Sequence, residues 1–341
     1  MGSRHWWKSI TQFLLGVGIV LGLGLLFKVV SPSQVKMPSG WRIIRPPNEV
    51  STLAIQGGIV WAGGKDGLVA IDRRSSQLLK LPEGAPRMRY VKDLLIDRKG
   101  NLWIGHHAGL VRCSNGKWES LSQIERLLPG PILSLLEDRE GVLWVGGEKG
   151  VVFFDGESFR PFTIPEELKL PSVDVIFQDR SGAMWFGSAS PTRGGLLCYY
   201  DRQWRGYTIN EGLAHHSVNA VIQDRHGALW FGLGFGSRGG ASRLENKAWT
   251  SFTKENGLAG EKVRSIYEDQ DGRMWFGSEY DGIAINFNHK WMVLTPKHGL
   301  AGWEVKEMIQ DVDGVYWLGT EDGLSRIESI DWQSLGRGQK S

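Results

Sequence analysis

The sequence predicts an all-β chain: a seven-bladed β-propeller of four-stranded antiparallel blades, preceded by one N-terminal transmembrane helix. Three observations predict it. The phrase Asp-x-x-Gly-x-x-Trp-x-Gly returns with a regular spacing along most of the 341 residues. The composition is rich in the residues that this phrase uses, with 46 Gly and 16 Trp. A continuous apolar stretch precedes the first repeat.

The apolar stretch is long enough to cross a membrane. Residues 13–27 contain no polar side chain, and the apolar character extends over residues 10–30 with few interruptions. A helix of that length spans about 30 Å, the thickness of the hydrocarbon core of a bilayer. A cleaved signal peptide is the alternative, but it needs a small-x-small cleavage site, and none follows here. We therefore expect an uncleaved signal anchor.

The anchor and the repeats together divide the chain into five parts. We expect residues 1–9 to be a cytoplasmic N-terminus, 10–30 the transmembrane anchor, 31–39 a linker, 40–335 the propeller and 336–341 a polar tail. Basic residues flank the anchor on both sides, so their distribution alone does not settle its orientation.

The repeated phrase keeps one phase along the rest of the chain. Six copies begin with an Asp, at Asp97, Asp138, Asp179, Asp224, Asp269 and Asp311, and an earlier copy lacks it. The marker tryptophans follow at intervals of 41 to 45 residues: Trp61, Trp103, Trp144, Trp185, Trp230, Trp275 and Trp317. A fixed period in this range is typical of propellers. A Trp can also be a stacking platform for sugars or bases, but a Trp at the same place in every repeat indicates the blade core.

Each repeat contains four strand signals, which we name A to D in chain order. Strand A precedes the Asp, the Asp-x-x-Gly segment forms a turn, and strand B carries the marker Trp. After strand C, strand D carries a second aromatic, at Trp118, Phe159, Trp204, Trp249 or Trp291. Two segments compete to supply the strand that closes the ring, residues 41–45 and residues 330–332. We expect the N-terminal segment to do so, because the C-terminal tail is short and polar.

The repeat resembles that of the two-component regulator propeller family. Residues 263–283 and 305–324 carry the pattern Val-x-x-Ile-x-x-Asp-x-x-Gly-x-x-Trp-x-Gly…Gly-Leu most closely. The resemblance implies the extracytoplasmic sensor part of a bacterial signalling protein. We therefore expect a single-pass protein of the cell inner membrane, with the propeller on the periplasmic or extracellular side. Because the chain ends soon after the seventh repeat, we expect a separate partner protein to supply the signalling output.

A candidate ligand site lies on two neighbouring blades. The turns between strands B and C are four residues longer in the fourth and fifth blades than in the second, third and seventh, and each long turn holds an Arg and a Gly-Gly pair. The link between these blades adds two histidines. The predicted ligand-binding residues are Arg193, Gly194, Gly195, His215, His216, Arg238, Gly239 and Gly240. Arginine and backbone N–H groups suit an anionic ligand or a glycan; alternatively, the matched insertions pack on each other and the arginines are solvated.

Other function classes find less support. Lys and Arg are scattered and the net charge is only +3, so we expect no nucleic-acid partner. Cys113 and Cys198 fall in different repeats, which makes a disulfide unexpected. No catalytic set, metal-ligand spacing or cofactor motif is identifiable, so we predict a binding module. A scaffold for a membrane complex is one alternative, and a metal-dependent propeller lyase is a weaker one, because such enzymes carry similar Gly-x-x-Trp-Phe repeats.

Overall fold

The computed structural model describes residues 37–332. The predicted N-terminus, anchor and polar tail lie outside these residues, as does most of the predicted linker. Within the described part of the chain, no helix is long and apolar enough to cross a membrane.

Seven four-stranded antiparallel sheets make up the described chain, which confirms the predicted number and composition of the blades. Blade 1 contains β2 (Thr52–Gln56), β3 (Ile59–Gly64), β4 (Gly67–Asp72) and β5 (Leu78–Leu79). Blade 2 contains β6 (Val91–Ile96), β7 (Leu102–His106), β8 (Gly109–Ser114) and β9 (Lys117–Ser120). Blade 3 contains β10 (Ile132–Glu137), β11 (Leu143–Gly147), β12 (Gly150–Phe154) and β13 (Phe159–Phe162).

The remaining blades follow the same order. Blade 4 contains β14 (Val175–Gln178), β15 (Met184–Ser188), β16 (Gly195–Tyr200) and β17 (Gln203–Tyr207). Blade 5 contains β18 (Val218–Gln223), β19 (Leu229–Phe235), β20 (Arg238–Glu245) and β21 (Ala248–Phe252). Blade 6 contains β22 (Val263–Glu268), β23 (Met274–Ser278), β24 (Ile283–Phe287) and β25 (Lys290–Leu294). Blade 7 contains β26 (Val305–Gln310), β27 (Tyr316–Thr320), β28 (Gly323–Ile327) and β1 (Trp41–Ile44).

Four of the links between blades contain a short helix. These helices are α1 (Ser122–Leu127) and the 3-10 helices Glu166–Leu168, Lys254–Asn256 and Pro296–His298.

The ring is closed by the N-terminal strand, as predicted. β1 pairs antiparallel with β28, and Trp41 lies opposite Ile327. The Trp41 side chain is buried, and its indole N–H donates to the Ser329 carbonyl at 2.9 Å. The competing C-terminal segment forms no strand; Trp332 instead packs beneath the Arg273 guanidinium, 4.4 Å from the ring centre.

The Asp and Trp of each phrase are joined by a hydrogen bond. In blade 5 the Trp230 indole N–H donates to one Asp224 carboxylate oxygen at 2.8 Å. The other oxygen accepts the backbone N–H groups of His226 and Ala228, which fixes the turn. The same Asp–Trp bond recurs in blades 2 to 7. Blade 1 lacks the Asp, and there Trp61 donates to the side chain of Gln56. The repeated Asp is therefore structural.

The glycine that follows the marker Trp lets neighbouring blades approach closely. A Cβ atom at Gly187 would lie 2.8 Å from the Val218 side chain of the next blade. The corresponding contact at Gly319 is with Val50, across the closure of the ring. Real Cβ atoms do not come this close to other atoms, so glycine is required by the packing between blades.

Arginines tie the turns between strands A and B to one another. The Arg139 guanidinium donates to the backbone carbonyls of Asp179 and Arg180 in the next blade, at 2.8 and 2.6 Å. Arg225 does the same for Asp269 and Gln270. We call the edge of the ring that carries these turns the opposite face. The edge that carries the B–C turns and the links between blades is the mouth face.

Candidate functional site

A polar channel runs along the ring axis near the mouth face. Its walls come from the innermost strands β6, β10, β14, β18, β22 and β26, together with Ser51, Asp174 and Ala189, and they enclose about 400 Å³. In five blades a β-bulge follows the first residue of strand A. A bulge inserts one extra residue and re-aims its side chain. These extra residues all line the channel: Lys92, Leu133, Asn219, Arg264 and Lys306.

Ion pairs occupy one side of the channel mouth. Lys306 lies 2.6 Å from Glu49 and 3.4 Å from Glu304. Arg264 approaches the same Glu304 carboxylate at 3.3 Å. Lys92, by contrast, is exposed and forms no ion pair with any described residue. The channel mouth therefore offers one free ammonium group beside a paired cluster.

Two carboxyl groups face the channel one layer deeper. Asp93 accepts hydrogen bonds from the backbone N–H groups of Leu94 and Leu135. Burial raises the pKa of Asp93 to about 7, because the surrounding protein disfavours the charged form. Burial and the negative charge of Asp93 raise the pKa of Glu307 to about 8.

Exposed aromatic side chains lie on the mouth face beside the channel. Phe235 is 54% exposed, Tyr280 65% and Trp303 40%. They belong to blade 5, to blade 6 and to the link into blade 7. The Lys262 ammonium lies 5.5 Å from the Phe235 ring centre and 2.8 Å from Glu279, next to Tyr280. The result is a strip of aromatic surface that runs across three blades.

The predicted ligand site is only partly assembled. In blade 5 the additional residues extend β19 and β20 into a longer hairpin, with Phe235 opposite Arg238. The prediction of a Gly-Gly turn in blade 5 is therefore wrong, because Gly239 and Gly240 lie within β20. A Cβ atom at Gly240 would lie 2.2 Å from the Phe252 carbonyl oxygen, so close packing explains this glycine.

In blade 4 the additional residues do form a loop. Gly194 packs against the link to blade 5, where a Cβ atom would lie 2.5 Å from the carbonyl oxygen of His216. Gly195 begins β16 and is buried. These glycines also permit close packing, and their role in anion binding stays a prediction.

The charged members of the predicted site have different neighbours. Burial, the neighbouring His216 and the Arg238 charge lower the pKa of His215, so these three residues lie together. Arg193 instead lines a groove with Leu127 and Glu148 of blade 3 and its link. The prediction that an anion binds here now concerns chiefly Arg238 and His215.

The channel residues were missed by the sequence interpretation. The signal was the pair of residues after the first valine or isoleucine of each strand A, such as Lys92-Asp93 and Lys306-Glu307. These pairs share the period of the marker tryptophans but differ in chemistry from blade to blade. A search for identical residues in every repeat therefore does not detect these pairs.

The marker tryptophans lie where the sequence placed them. Six of the seven are buried, with exposed fractions of 8% or less, and Trp144 is partly accessible. Cys113 and Cys198 are free thiols. Among residues 37–332, no three His, Cys, Asp or Glu side chains are arranged to hold a metal ion.

Comparison with protein-family models identifies the family to which two of the repeats belong. The two-component regulator propeller family matches residues 126–149 and 257–280. Each match runs from a link between blades through strand B of the following blade. The chain carries two-component regulator propeller repeats. The second match overlaps residues 263–283, where the sequence resemblance was close. No curated protein matches the sequence significantly.

Several solved structures resemble the ring in fold. The extracellular domain of a putative hybrid two-component system from B. thetaiotaomicron superposes with a TM-score of 0.72 at 20% identity, covering 89% of this chain and 42% of that one. PorZ, a surface component of the type-IX secretion system of Porphyromonas gingivalis, gives 0.65 at 16% identity, covering 83% and 46%. This chain thus spans less than half the length of either. Virginiamycin B lyase from Staphylococcus aureus gives 0.65 at 15% identity, covering 85% and 98%. At these identities the likeness concerns the fold.

Proposed function

We propose that the chain is a membrane-anchored binding module whose mouth face engages a ligand or a partner protein outside the inner membrane. In this proposal the propeller is a sensory or accessory part of a two-component-type signalling system, and a separate protein supplies the output. The regulator propeller repeats support the signalling context. The apolar stretch over residues 10–30 supports the anchor.

The observation that carries the proposal is the aromatic strip beside the channel. Phe235, Tyr280 and Trp303 expose large apolar surfaces on one side of the ring, next to a polar cavity. Adjacent exposed aromatic side chains are enriched where proteins bind partners, since they bury much surface with little loss of conformational freedom. Exposed apolar residues on the opposite face, such as Val312 of blade 7 and Tyr200 of blade 4, belong to blades that are not neighbours in the ring.

Photo-crosslinking in living cells tests the proposal. A photoreactive amino acid replaces Tyr280 on the mouth face or, as the matched control, Val312 on the opposite face, which is 82% exposed. We expect a discrete adduct from position 280 and none from position 312. Adducts from both faces would favour the alternative of a scaffold, and adducts from position 312 alone would refute the proposal.

Protection from protease tests the location. The full chain is expressed in cells whose outer membrane is then opened, and protease is added from outside. We expect the propeller to be cleaved while a cytoplasmic marker protein stays intact. Cleavage only after lysis of the inner membrane would place the propeller in the cytoplasm and contradict the proposal.

A further inference from the structure

A groove at the end of the aromatic strip has a composition of its own. It is lined by Glu279, Tyr280, Trp303, Glu304 and Glu321, and it encloses about 360 Å³. Blade 6, blade 7 and the link between them each contribute to the walls. The groove therefore combines two aromatic rings with three carboxylates.

Hydrogen bonds hold the groove in shape. The Glu321 carboxylate accepts the backbone N–H groups of Trp303 and Glu304, both at 2.8 Å. The Trp303 carbonyl accepts the N–H of Gly282 from the neighbouring turn, also at 2.8 Å. The backbone that carries the Trp303 ring is therefore fixed from both sides. A preorganised site loses less conformational freedom on binding.

Two of the three carboxylates of the groove have a basic partner, and the third has none among the described residues. Lys262 pairs with Glu279, and Arg264 and Lys306 pair with Glu304, but none of these basic residues lines the groove. Glu321 has no basic partner within 4.0 Å among the described residues. Its carboxylate is held by backbone N–H groups alone, which leaves its negative charge available to a ligand.

The hydrogen-bonding groups of the lining favour one class of ligand. The three carboxylates accept hydrogen bonds and donate none, and the Tyr280 hydroxyl already interacts with Glu279, whose charge raises the pKa of Tyr280. The Trp303 indole N–H is the one other side-chain donor of the lining, so acceptors predominate. A sugar needs both donors and acceptors around its hydroxyl groups, whereas a guanidinium or ammonium group brings donors only. A cation also gains from the faces of Trp and Tyr rings.

We propose that this groove binds a basic side chain, Arg or Lys, of a partner polypeptide. The inference rests on the proposed function of the mouth face and names the chemistry of its partner. The ring faces receive the flat cationic group, and Glu321 supplies the opposite charge. A groove of about 360 Å³ has room for such a side chain.

Titration of the full chain in detergent tests this inference. The probe is Nα-acetyl-arginine amide, followed by saturation-transfer NMR, with Nα-acetyl-citrulline amide as the neutral analogue of nearly the same shape. We expect saturable binding of the arginine compound, weakened by added salt, and no saturable binding of the citrulline compound. Equal binding of the two would overturn the inference, as would binding of methyl glucoside in place of the arginine compound.

Variants locate the binding. Tyr280→Ala and Trp303→Ala should each weaken binding by about fivefold or more, while Tyr90→Ala, at another exposed aromatic of the mouth face, should leave it unchanged. Tyr280 is the safer variant because its side chain is the more exposed. Unchanged binding by Tyr280→Ala would also overturn the inference.

The two proposals fail separately. Adducts at position 280 without arginine binding would refute the groove as a cation site and leave the mouth face as the binding surface. Arginine binding without any adduct would refute the proposed function, and with it the assignment of the bound group to a partner polypeptide.

Discussion

Replacing Gly187 by alanine tests how closely the blades pack. The new Cβ atom would lie 2.8 Å from Val218 Cγ1 and 3.1 Å from Val218 Cβ. Carbon atoms at optimal separation are about 3.5–4.0 Å apart, so blades 4 and 5 must separate or Val218 must move. Overpacking of this kind costs about 1–3 kcal/mol. The alanine also restricts the unfolded chain, which restores about 0.4–1 kcal/mol.

We therefore expect Gly187→Ala to lower the free energy of unfolding by about 1–2 kcal/mol. The assay is urea denaturation of the full chain in detergent, followed by circular dichroism, with the midpoint and slope compared. Gly58→Ala is the matched control, because that glycine has an ordinary φ and no atom lies within 4 Å of its added Cβ. The control should be neutral or slightly stabilising.

A double variant assigns the effect to the contact. If Gly187→Ala clashes with Val218, then Val218→Ala should cost less in the variant than in the native chain. Coupled neighbours show interaction energies of about 0.5–3 kcal/mol. Additive effects, or a Gly187→Ala protein as stable as the Gly58→Ala control, would refute the claim that this glycine is required by the packing between blades.

Three further changes have expected outcomes. Asp224→Ala removes the acceptor of the Trp230 indole and of two backbone N–H groups, and should lower the free energy of unfolding by about 3 kcal/mol in the same denaturation assay. Glu307→Gln should flatten the pH dependence of the free energy of unfolding. Because the pKa of the Glu307 carboxyl is raised to about 8 in the fold, this group destabilises the native chain as the pH rises from about 4 to 8. In thermal melts the variant should therefore be more stable than the native chain by about 1–3 kcal/mol at pH 8 and equally stable near pH 4. Arg193→Ala with Arg238→Ala should weaken capture of an anionic ligand, measured by calorimetry with sulfate, at least tenfold if both arginines contribute. Because Arg238 lies near His215, Arg238→Ala alone should give most of the loss.

The repeated features of the fold were predictable from the sequence for a physical reason. The Asp, the marker Trp and the following Gly answer requirements that every blade has: a fixed turn, a filled core and close contact with the next blade. The residue that meets each requirement therefore recurs at a fixed spacing, and it is identified when the seven copies are aligned. The closing strand was predictable too, since Trp41 occupies a place that other blades fill with their strand D aromatic.

The candidate site was less predictable because function requires blades to differ. Lys306 and Glu307 occupy positions that are Leu133 and Ser134 in blade 3, so no repeated residue marks the channel. The glycines at 239 and 240 were misassigned for a related reason. A glycine pair is compatible with a turn or with a closely packed strand, and only the pairing of β19 with β20 distinguishes these.

Closure of the ring is the claim on which the channel and the mouth face both depend. In the antiparallel pair of β1 and β28, Arg42 lies opposite Arg326, within the range of separations that a disulfide can bridge. The most direct measurement is oxidation of an Arg42→Cys/Arg326→Cys chain, followed by mass spectrometry of the linked peptides. We predict efficient crosslinking within one chain, and little in an Arg42→Cys/Ser325→Cys control, whose side chains lie on different faces of the sheet. Absence of the first crosslink, or equal yield in the two chains, would contradict the closed seven-bladed ring.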